Sequence, residues 1–252
     1  MGIKLIFNNF KNKTNFKKKK GLLKYLKKLK NSGQFQFLDS FKKKYKYTYN
    51  NKLIQKYNGL KTINIIGMGG SSLGVKAIYK FLNHKIKKKI SFSENLNLKK
   101  ENKTKGFNII ISKSGNTLET VVNLNTKFNI SDKNIFITEN NNNYLRQLAN
   151  KLRSDVVEHK NFIGGRFSVL SEVGMLPAQL MGLDEKKFKQ FNDLIIKKNF
   201  LDNLVNNVLC TFQYIKAQKY NSVILNYDPL SEDLFKWYQQ LVSESLGKKS
   251  KG

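Results

Sequence analysis

A hydroxyl-rich turn in the middle of the chain has the residue types of a phosphate-binding site. Ser112, Lys113, Ser114 and Thr117 follow directly on the apolar run 109–111, and apolar residues at helical spacing come after them. This pattern predicts a buried strand, a polar turn and then the N-terminus of a helix. A helix N-terminus presents unpaired N–H groups and a partial positive charge, which suit an anion. Because a helix cap needs only one hydroxyl, three hydroxyls and a lysine favour an anion site over a simple capped turn.

A second polar turn, residues 67–74, contains four glycines and two serines. It follows a short apolar strand and precedes a predicted helix, but it fits neither common nucleotide-binding motif. Ser72 stands where the dinucleotide fingerprint needs its third glycine, and Val75 stands where a Walker loop needs its lysine. The sequence therefore supports neither NAD nor ATP. It predicts a backbone that a polar ligand can approach closely, with the Ser71 and Ser72 hydroxyls as donors, and a plain strand-to-helix turn is the alternative.

The elements around these turns predict an α/β fold. Strands expected at 62–66, 90–92, 107–111, 134–138 and 155–157 alternate with helices. Such alternation is typical of a mostly parallel sheet that is covered by helices on both faces, in three layers. Ligands of these folds bind at the carboxyl ends of the strands. Both polar turns come at that end, so we expect them to form one small-molecule site.

Arg166 is a third candidate binding residue. It follows Gly164 and Gly165, whose small size lets the backbone bring the guanidinium close to another group. Arginine is a planar, permanently charged donor that suits an oxyanion. The alternative is a surface turn, but arginine is rare beside lysine in this chain, which makes its use here informative.

The last quarter of the chain predicts the beginning of a second α/β unit. Residues 185–219 are expected to be helical, 222–226 to form a strand and 234–242 to form a helix, with Glu244 just after it. The chain ends at Gly252, and one strand cannot make a sheet by itself. We therefore expect an incomplete second domain.

Composition excludes several classes of protein. The net charge is +30, from 47 basic and 17 acidic residues, but the excess is mostly lysine spread along the whole chain, so specific nucleic-acid binding is not favoured.

No run of about 18 apolar residues predicts a membrane span, and no signal peptide is recognisable. A basic amphipathic helix near residues 22–29 is better interpreted as a surface helix than as a membrane anchor. The single Cys210 cannot form an internal disulfide, and no Cys/His set has metal-ligand spacing, so we expect no metal and a cytoplasmic location.

Four segments in a fixed order are similar to the glucose-6-phosphate isomerase (phosphoglucose isomerase) family, whose fold is a pair of sugar isomerase (SIS) domains. The resemblance covers roughly residues 45–252, and its motifs are GMGGSSLG, SKSGNTLET, GGRFS and QQLVSESLGK. It implies reversible interconversion of glucose 6-phosphate and fructose 6-phosphate through a cis-enediol(ate), without a metal or an organic cofactor. It also implies a sugar phosphate as ligand and a homodimer when the protein is full-length.

The resemblance assigns a role to each candidate residue. Ser112, Ser114, Thr117 and the Lys113 backbone would hold the phosphate, and Gly70 and Ser71 would line the sugar site. Arg166 would stabilise the enediolate charge, and Glu244 would shuttle a proton between C2 and C1.

The chain departs from the family on the C-terminal side of the glutamate. The family uses a histidine for ring opening, contributed by the partner subunit, and a lysine near its C-terminus; both lie beyond the glutamate segment. The two histidines of this chain, His84 and His159, match neither. We therefore expect a truncated isomerase that is divided into a Lys-rich helical segment (1–45), a first SIS domain (46–184) and a helical connection with an incomplete second SIS domain (185–252). A non-catalytic SIS module that binds a phosphosugar is the alternative, although binding alone does not need a base such as Glu244.

Overall fold

The computed structural model describes residues 16–31, 35–94, 96, 106–127, 132–190, 193–194 and 197–247. The polar loop that the sequence predicts at 97–106 lies almost wholly outside the described residues. Five strands form one sheet: β1 (Thr62–Ile66), β2 (Lys89–Ser93), β3 (Phe107–Ile111), β4 (Lys133–Thr138) and β5 (Asp155–Glu158). Their order is β2-β1-β3-β4-β5, and every neighbouring pair is parallel. The predicted parallel α/β sheet is confirmed.

Eight α-helices accompany the sheet: α1 (Phe16–Asn31), α2 (Asn51–Asn58), α3 (Leu73–Leu82), α4 (Leu118–Lys127), α5 (Tyr144–Lys151), α6 (Glu172–Leu180), α7 (Lys198–Lys216) and α8 (Glu232–Leu246), counted over the described residues. Short 3₁₀ helices lie at Gln36–Phe41, Gly69–Ser71, Asn83–Lys85, Gly165–Leu170, Glu185–Gln190 and Pro229–Ser231.

The alternation of side chains along the strands builds two cores. Odd-numbered residues such as Ile65, Ile109 and Ile137 pack on one face with α2, α3 and α6. Ile110 and Phe136 point the other way and pack with α4 and α5. Because successive strand residues face opposite sides, continuous apolar runs are what a sheet covered on both faces requires. The expected three-layer arrangement is confirmed.

A row of amides interrupts the second face at the amino ends of the strands. The Asn64 side chain donates to the Asn108 amide oxygen at 2.9 Å, and Asn108 donates to Asn134 at the same distance. The Ser91 hydroxyl donates to Asn64 at 2.6 Å. These four residues occupy matching positions on β2, β1, β3 and β4. The buried amides of Asn108 and Asn134 therefore have partners in a neighbouring strand, which offsets the cost of removing them from water.

The segment after residue 184 departs from its predicted structure in two places. The stretch expected to be one helix over 185–219 is a 3₁₀ helix at Glu185–Gln190 followed by α7. Residues 222–226 pair with no strand in the described part of the chain, so the predicted strand is wrong for this structure. The apolar, β-branched pattern is present, but a strand needs a hydrogen-bonding neighbour. The predicted helix at 234–242 is confirmed as part of α8, which packs against α3.

Candidate active site

The two polar turns lie side by side at the carboxyl edge of the sheet. β1 and β3 are neighbours, and the chain leaves β1 toward β2 on one side and reaches β3 and β4 on the other. The crevice therefore opens at the point where the strand order reverses, which is where parallel α/β sheets bind ligands. This placement agrees with the single small-molecule site expected from the sequence.

The glycine-rich turn approaches the arginine segment more closely than any side chain would allow. A Cβ atom built on Gly70 would lie 2.3 Å from the carbonyl carbon of Gly165 and 2.6 Å from the backbone nitrogen of Arg166. The Ser168 hydroxyl donates to the Gly70 carbonyl at 3.2 Å and to the Gly165 carbonyl at 2.6 Å, which joins the two segments. Glycine at position 70 thus sets the distance between the polar turn and Arg166.

The hydroxyls of the 112–117 turn fall into two layers. Ser112 is buried, and its hydroxyl lies 2.8 Å from the Thr117 hydroxyl and accepts from the Gly115 N–H at 3.1 Å. Ser114 is exposed and lines the cleft together with Thr117. Ser112 is not among the lining residues, so its hydroxyl lies beneath the turn and supports it. Ser114 and Thr117 are the hydroxyls that a ligand in the cleft could reach.

The ammonium group of Lys113 is already engaged. It donates to the Asn161 carbonyl at 2.8 Å and lies 3.5 Å from a carboxylate oxygen of Glu139. The positive charge that the sequence places in the turn is therefore partly balanced by a carboxylate that comes just after β4. Without losing these contacts, Lys113 can offer a ligand its backbone.

Arg166 is held from several sides. Its Nε donates to the Ser245 hydroxyl at 3.0 Å, and its Nη1 donates to Glu244 Oε2 at 3.2 Å. Its carbonyl accepts from the Trp237 indole N–H at 3.0 Å. Its guanidinium carbon lies 4.7 Å from the centre of the Phe167 ring. Three contacts restrict the side chain, and the fourth, from Trp237, holds the backbone.

Glu244 lies in the last turn of α8, whereas the sequence analysis expected it just after the helix. One of its carboxylate oxygens meets Arg166, and the other accepts from the Gln240 amide at 2.7 Å. The Gln240 amide oxygen is buried and has no hydrogen-bond partner among the described residues. Because residues four apart lie on one helical face, Gln240 fixes the orientation of the carboxylate.

These groups surround one open cleft of about 520 Å³. Of the residues singled out in the sequence, it brings together Gly70, Ser71, Lys113, Ser114, Thr117, Arg166 and Glu244. It also includes residues that the sequence analysis missed, among them Met68, Glu139 and Gln240. The sequence contains a signal for two of these residues. Glu139 comes directly after a strand, and Gln240 lies one helical turn before Glu244.

Neither histidine lines this cleft. His84 is exposed in a 3₁₀ helix. His159 directly follows β5 and is buried, with its Nδ1 3.1 Å from the Lys160 carbonyl. Burial lowers the pKa of His159 below its ordinary value because the charged form loses its hydration. Within the described residues, no three His, Cys, Asp or Glu side chains come close enough to hold a metal ion. None of the described helices combines the length and the apolar character needed to cross a membrane.

Comparison with known proteins identifies the family. The phosphoglucose isomerase family model matches residues 49–251. The chain belongs to the phosphoglucose isomerase family. Glucose-6-phosphate isomerase from Methanocaldococcus jannaschii is 33% identical over 226 residues, which cover 82% of this chain and 55% of that protein. The corresponding protein of Acholeplasma laidlawii is 32% identical over 231 residues, with 80% and 54% coverage.

A solved structure shares this fold. A crystal structure of a hypothetical protein from Thermus thermophilus superposes with a TM-score of 0.75 at 21% sequence identity, over 92% of this chain and 61% of the other. The chain spans about half the length of the curated phosphoglucose isomerase relatives that it matches.

Proposed function

We propose that this chain supplies the phosphosugar site and the proton-transfer base of a glucose-6-phosphate isomerase. The reaction is the reversible interconversion of glucose 6-phosphate and fructose 6-phosphate through a cis-enediol(ate). The observation that carries the proposal is the meeting of the Glu244 carboxylate and the Arg166 guanidinium, 3.2 Å apart, in the cleft formed by the two polar turns.

The phosphate is proposed to bind at the 112–117 turn. Ser114 and Thr117 offer hydroxyl donors on the cleft side, and the N-terminus of α4 comes directly after them. N–H groups in the first turn of a helix lack carbonyl partners within the helix, so they add donors for an anion. Ser112 is proposed to act by holding the Thr117 hydroxyl in place. The open end of the sugar would then extend along Gly70 and Ser71 toward Glu244.

Glu244 is proposed to carry the proton between C2 and C1, and Arg166 to stabilise the negative charge of the enediolate. A carboxylate can act as a base only if its position and orientation are fixed, and Gln240 provides the second contact that fixes it. Arg166 is a permanent cation, so it stabilises an oxyanion without a proton transfer of its own. The two residues pair with each other, and substrate binding would redirect Arg166 to the reacting oxygens.

A complete enzyme is proposed to need more polypeptide than this chain. Val223, Leu225 and Tyr227 are 83%, 74% and 91% exposed, whereas Ile224 is 41% exposed and lines a groove against α8. This alternation is that of an extended segment whose two faces differ in exposure, as in a strand. We propose the division into residues 1–45, 46–184 and 185–252, with the last part completed by a second SIS domain and the full-length protein acting as a homodimer on its sugar phosphate.

The phosphate site is tested by calorimetry with fructose 6-phosphate and the 252-residue chain. Ser114→Ala and Thr117→Val should each weaken binding about ten-fold or more, since a hydrogen bond to a charged group contributes about 1.5–3 kcal/mol. Thr211→Val is the matched control, because the Thr211 hydroxyl bonds within α7, to the Asn207 carbonyl, and Thr211 does not line the cleft. Affinity that is unchanged by the two cleft variants would remove the 112–117 turn from the proposal.

Turnover is tested by comparing the chain with a polypeptide that carries a complete second domain. The 252-residue chain should bind the sugar phosphate with little or no turnover, and the extended polypeptide should interconvert the two sugar phosphates. Binding without turnover in both proteins would instead identify a non-catalytic phosphosugar module.

A further inference from the structure

We propose that Phe37, which precedes the family-matched region, is a positioning residue for Arg166 and acts on it through the ring of Phe167. The inference rests on the proposed function only in so far as Arg166 is the residue whose position matters. The family-model match begins at Tyr49, so the 3₁₀ helix at Gln36–Phe41 lies on the N-terminal side of that match.

The Phe37 ring and the Arg166 guanidinium both lie against the ring of Phe167. The Phe37 and Phe167 rings lie 4.4 Å apart, centre to centre, with an angle of 20° between their planes. The Arg166 guanidinium carbon lies 4.7 Å from the centre of the same Phe167 ring. An aromatic ring presents a negative face, so a stacked neighbour and a nearby cation together restrict its rotation and its tilt. Phe37 therefore limits where Phe167 can lie, and Phe167 limits where the guanidinium can lie.

A second, independent contact joins the 3₁₀ helix that carries Phe37 to the one that carries Phe167. Lys189 is only 4% exposed, and its ammonium donates both to the Ser40 carbonyl and to the Leu170 carbonyl. Ser40 belongs to the helix that carries Phe37, and Leu170 ends the 3₁₀ helix that carries Arg166 and Phe167. One buried cation thus ties the two short helices together, so the aromatic stack does not depend on a freely moving segment.

Apart from the Phe167 ring, the guanidinium is contacted from the end of α8. Its polar contacts, to Glu244 and Ser245, both come from the end of α8 and both involve exposed residues. A substrate that draws Glu244 away would break one of them. The contact with Phe167 does not involve α8, so it stays when the ion pair opens, which is the state in which Arg166 would meet the enediolate.

The experiment measures Arg166 directly, in the 252-residue chain and without relying on turnover. The chain has three arginines, Arg146, Arg153 and Arg166, so modification by phenylglyoxal can be followed at each by peptide mass spectrometry. Phe37→Ala should raise the modification rate of Arg166 about five-fold, the factor that corresponds to about 1 kcal/mol of aromatic pairing. The rates at the other two arginines should stay unchanged.

Matched variants separate positioning from a general loss of structure. Phe35→Ala is the control, since Phe35 meets the edge of Phe37 at 5.8 Å and is not part of the stack on Phe167. Phe37→Tyr keeps the ring and should restore the wild-type rate. Phe37→Leu keeps most of the apolar volume without a ring face, so it should also speed modification, and it serves if the alanine variant does not fold.

The outcomes are distinguishable from those of the proposed function. An unchanged Arg166 rate in folded Phe37→Ala or Phe37→Leu would overturn the positioning role, whatever the chain binds. Failure of wild-type protein to bind fructose 6-phosphate would count against the function and leave the reactivity comparison valid. In the extended enzyme, Phe37→Ala should lower kcat about five-fold with KM for fructose 6-phosphate nearly constant, because the phosphate turn is untouched.

Discussion

Replacing Gly70 by alanine should separate the polar turn from the arginine segment. The new Cβ would lie 2.3 Å from the Gly165 carbonyl carbon and 2.6 Å from the Arg166 nitrogen, and both are backbone atoms. A flexible side chain could turn away from such a contact, but a peptide group cannot. Relief therefore requires one of the two segments to move.

The contact distance sets the size of the movement. Ordinary van der Waals contact begins at 3.4 Å, so the 2.3 Å separation must grow by about 1 Å. Overpacking of this kind destabilises a protein by about 1–3 kcal/mol. A misplacement of about 1 Å between a catalytic group and its substrate can lower the rate about 100-fold. The contact falls on the backbone of Arg166 itself. We therefore expect Gly70→Ala to affect turnover more than stability.

The assay compares three proteins in the extended form: wild type, Gly70→Ala and Gly59→Ala. Gly70→Ala should lower kcat about 100-fold and the free energy of unfolding by about 1–3 kcal/mol. Gly59→Ala is the matched control, since a Cβ there has no atom within 4 Å, and it should leave kcat unchanged. Its free energy of unfolding should be equal or slightly higher, because alanine restricts the unfolded chain.

Wild-type kcat in a folded Gly70→Ala protein would show that the contact between the two turns does not determine the position of Arg166. A loss of stability without a loss of kcat would likewise limit Gly70 to a packing role.

Three further predictions concern the base and two buried titratable groups. Glu244→Gln in the extended enzyme should lower turnover at least about 100-fold with phosphate binding intact, whereas Glu232→Gln on the same helix should not; equal effects would remove Glu244 as the base. His159 has a pKa lowered by burial, so below about pH 6.5 the unfolded chain binds a proton that the folded chain does not, and stability falls as the pH falls. His159→Gln should flatten that dependence in denaturant titrations, and an unchanged slope would contradict it. Burial lowers the pKa of Lys189 from 10.5 to about 8, so stability should rise with pH from about 8 toward 10 and should not do so in Lys189→Met.

The parts of the fold that depend on local pattern could be predicted from the sequence. β1, β3 and β4 are short apolar runs bounded by polar turns, and their alternation with helices leads to a parallel sheet. The candidate site could be predicted by the same logic, because turns after parallel strands meet at one edge. The order of the four motifs was sufficient for the family, since it does not depend on any distance in space.

The sequence could not predict contacts between residues far apart along the chain. The Arg166–Glu244 pair, the amides at Asn64 and Asn108, and the stack on Phe37 each join separate elements. No local period contains that information, because it depends on how helices and strands are positioned by the packing of the core.

Where the local sequence pattern was misleading, contacts with other parts of the chain decided the structure. Residues 222–226 have the composition of a strand, yet they form none among the described residues, because hydrogen bonding in a sheet requires a neighbour. Ser112 and Lys113 belong to the polar turn, yet one hydroxyl lies beneath it and one ammonium bonds to the Asn161 carbonyl. The sequence by itself determined which groups reach the carboxyl edge of the sheet. The tertiary structure alone decided which of them face the cleft, because the direction of a side chain depends on the partners that the rest of the chain brings to it.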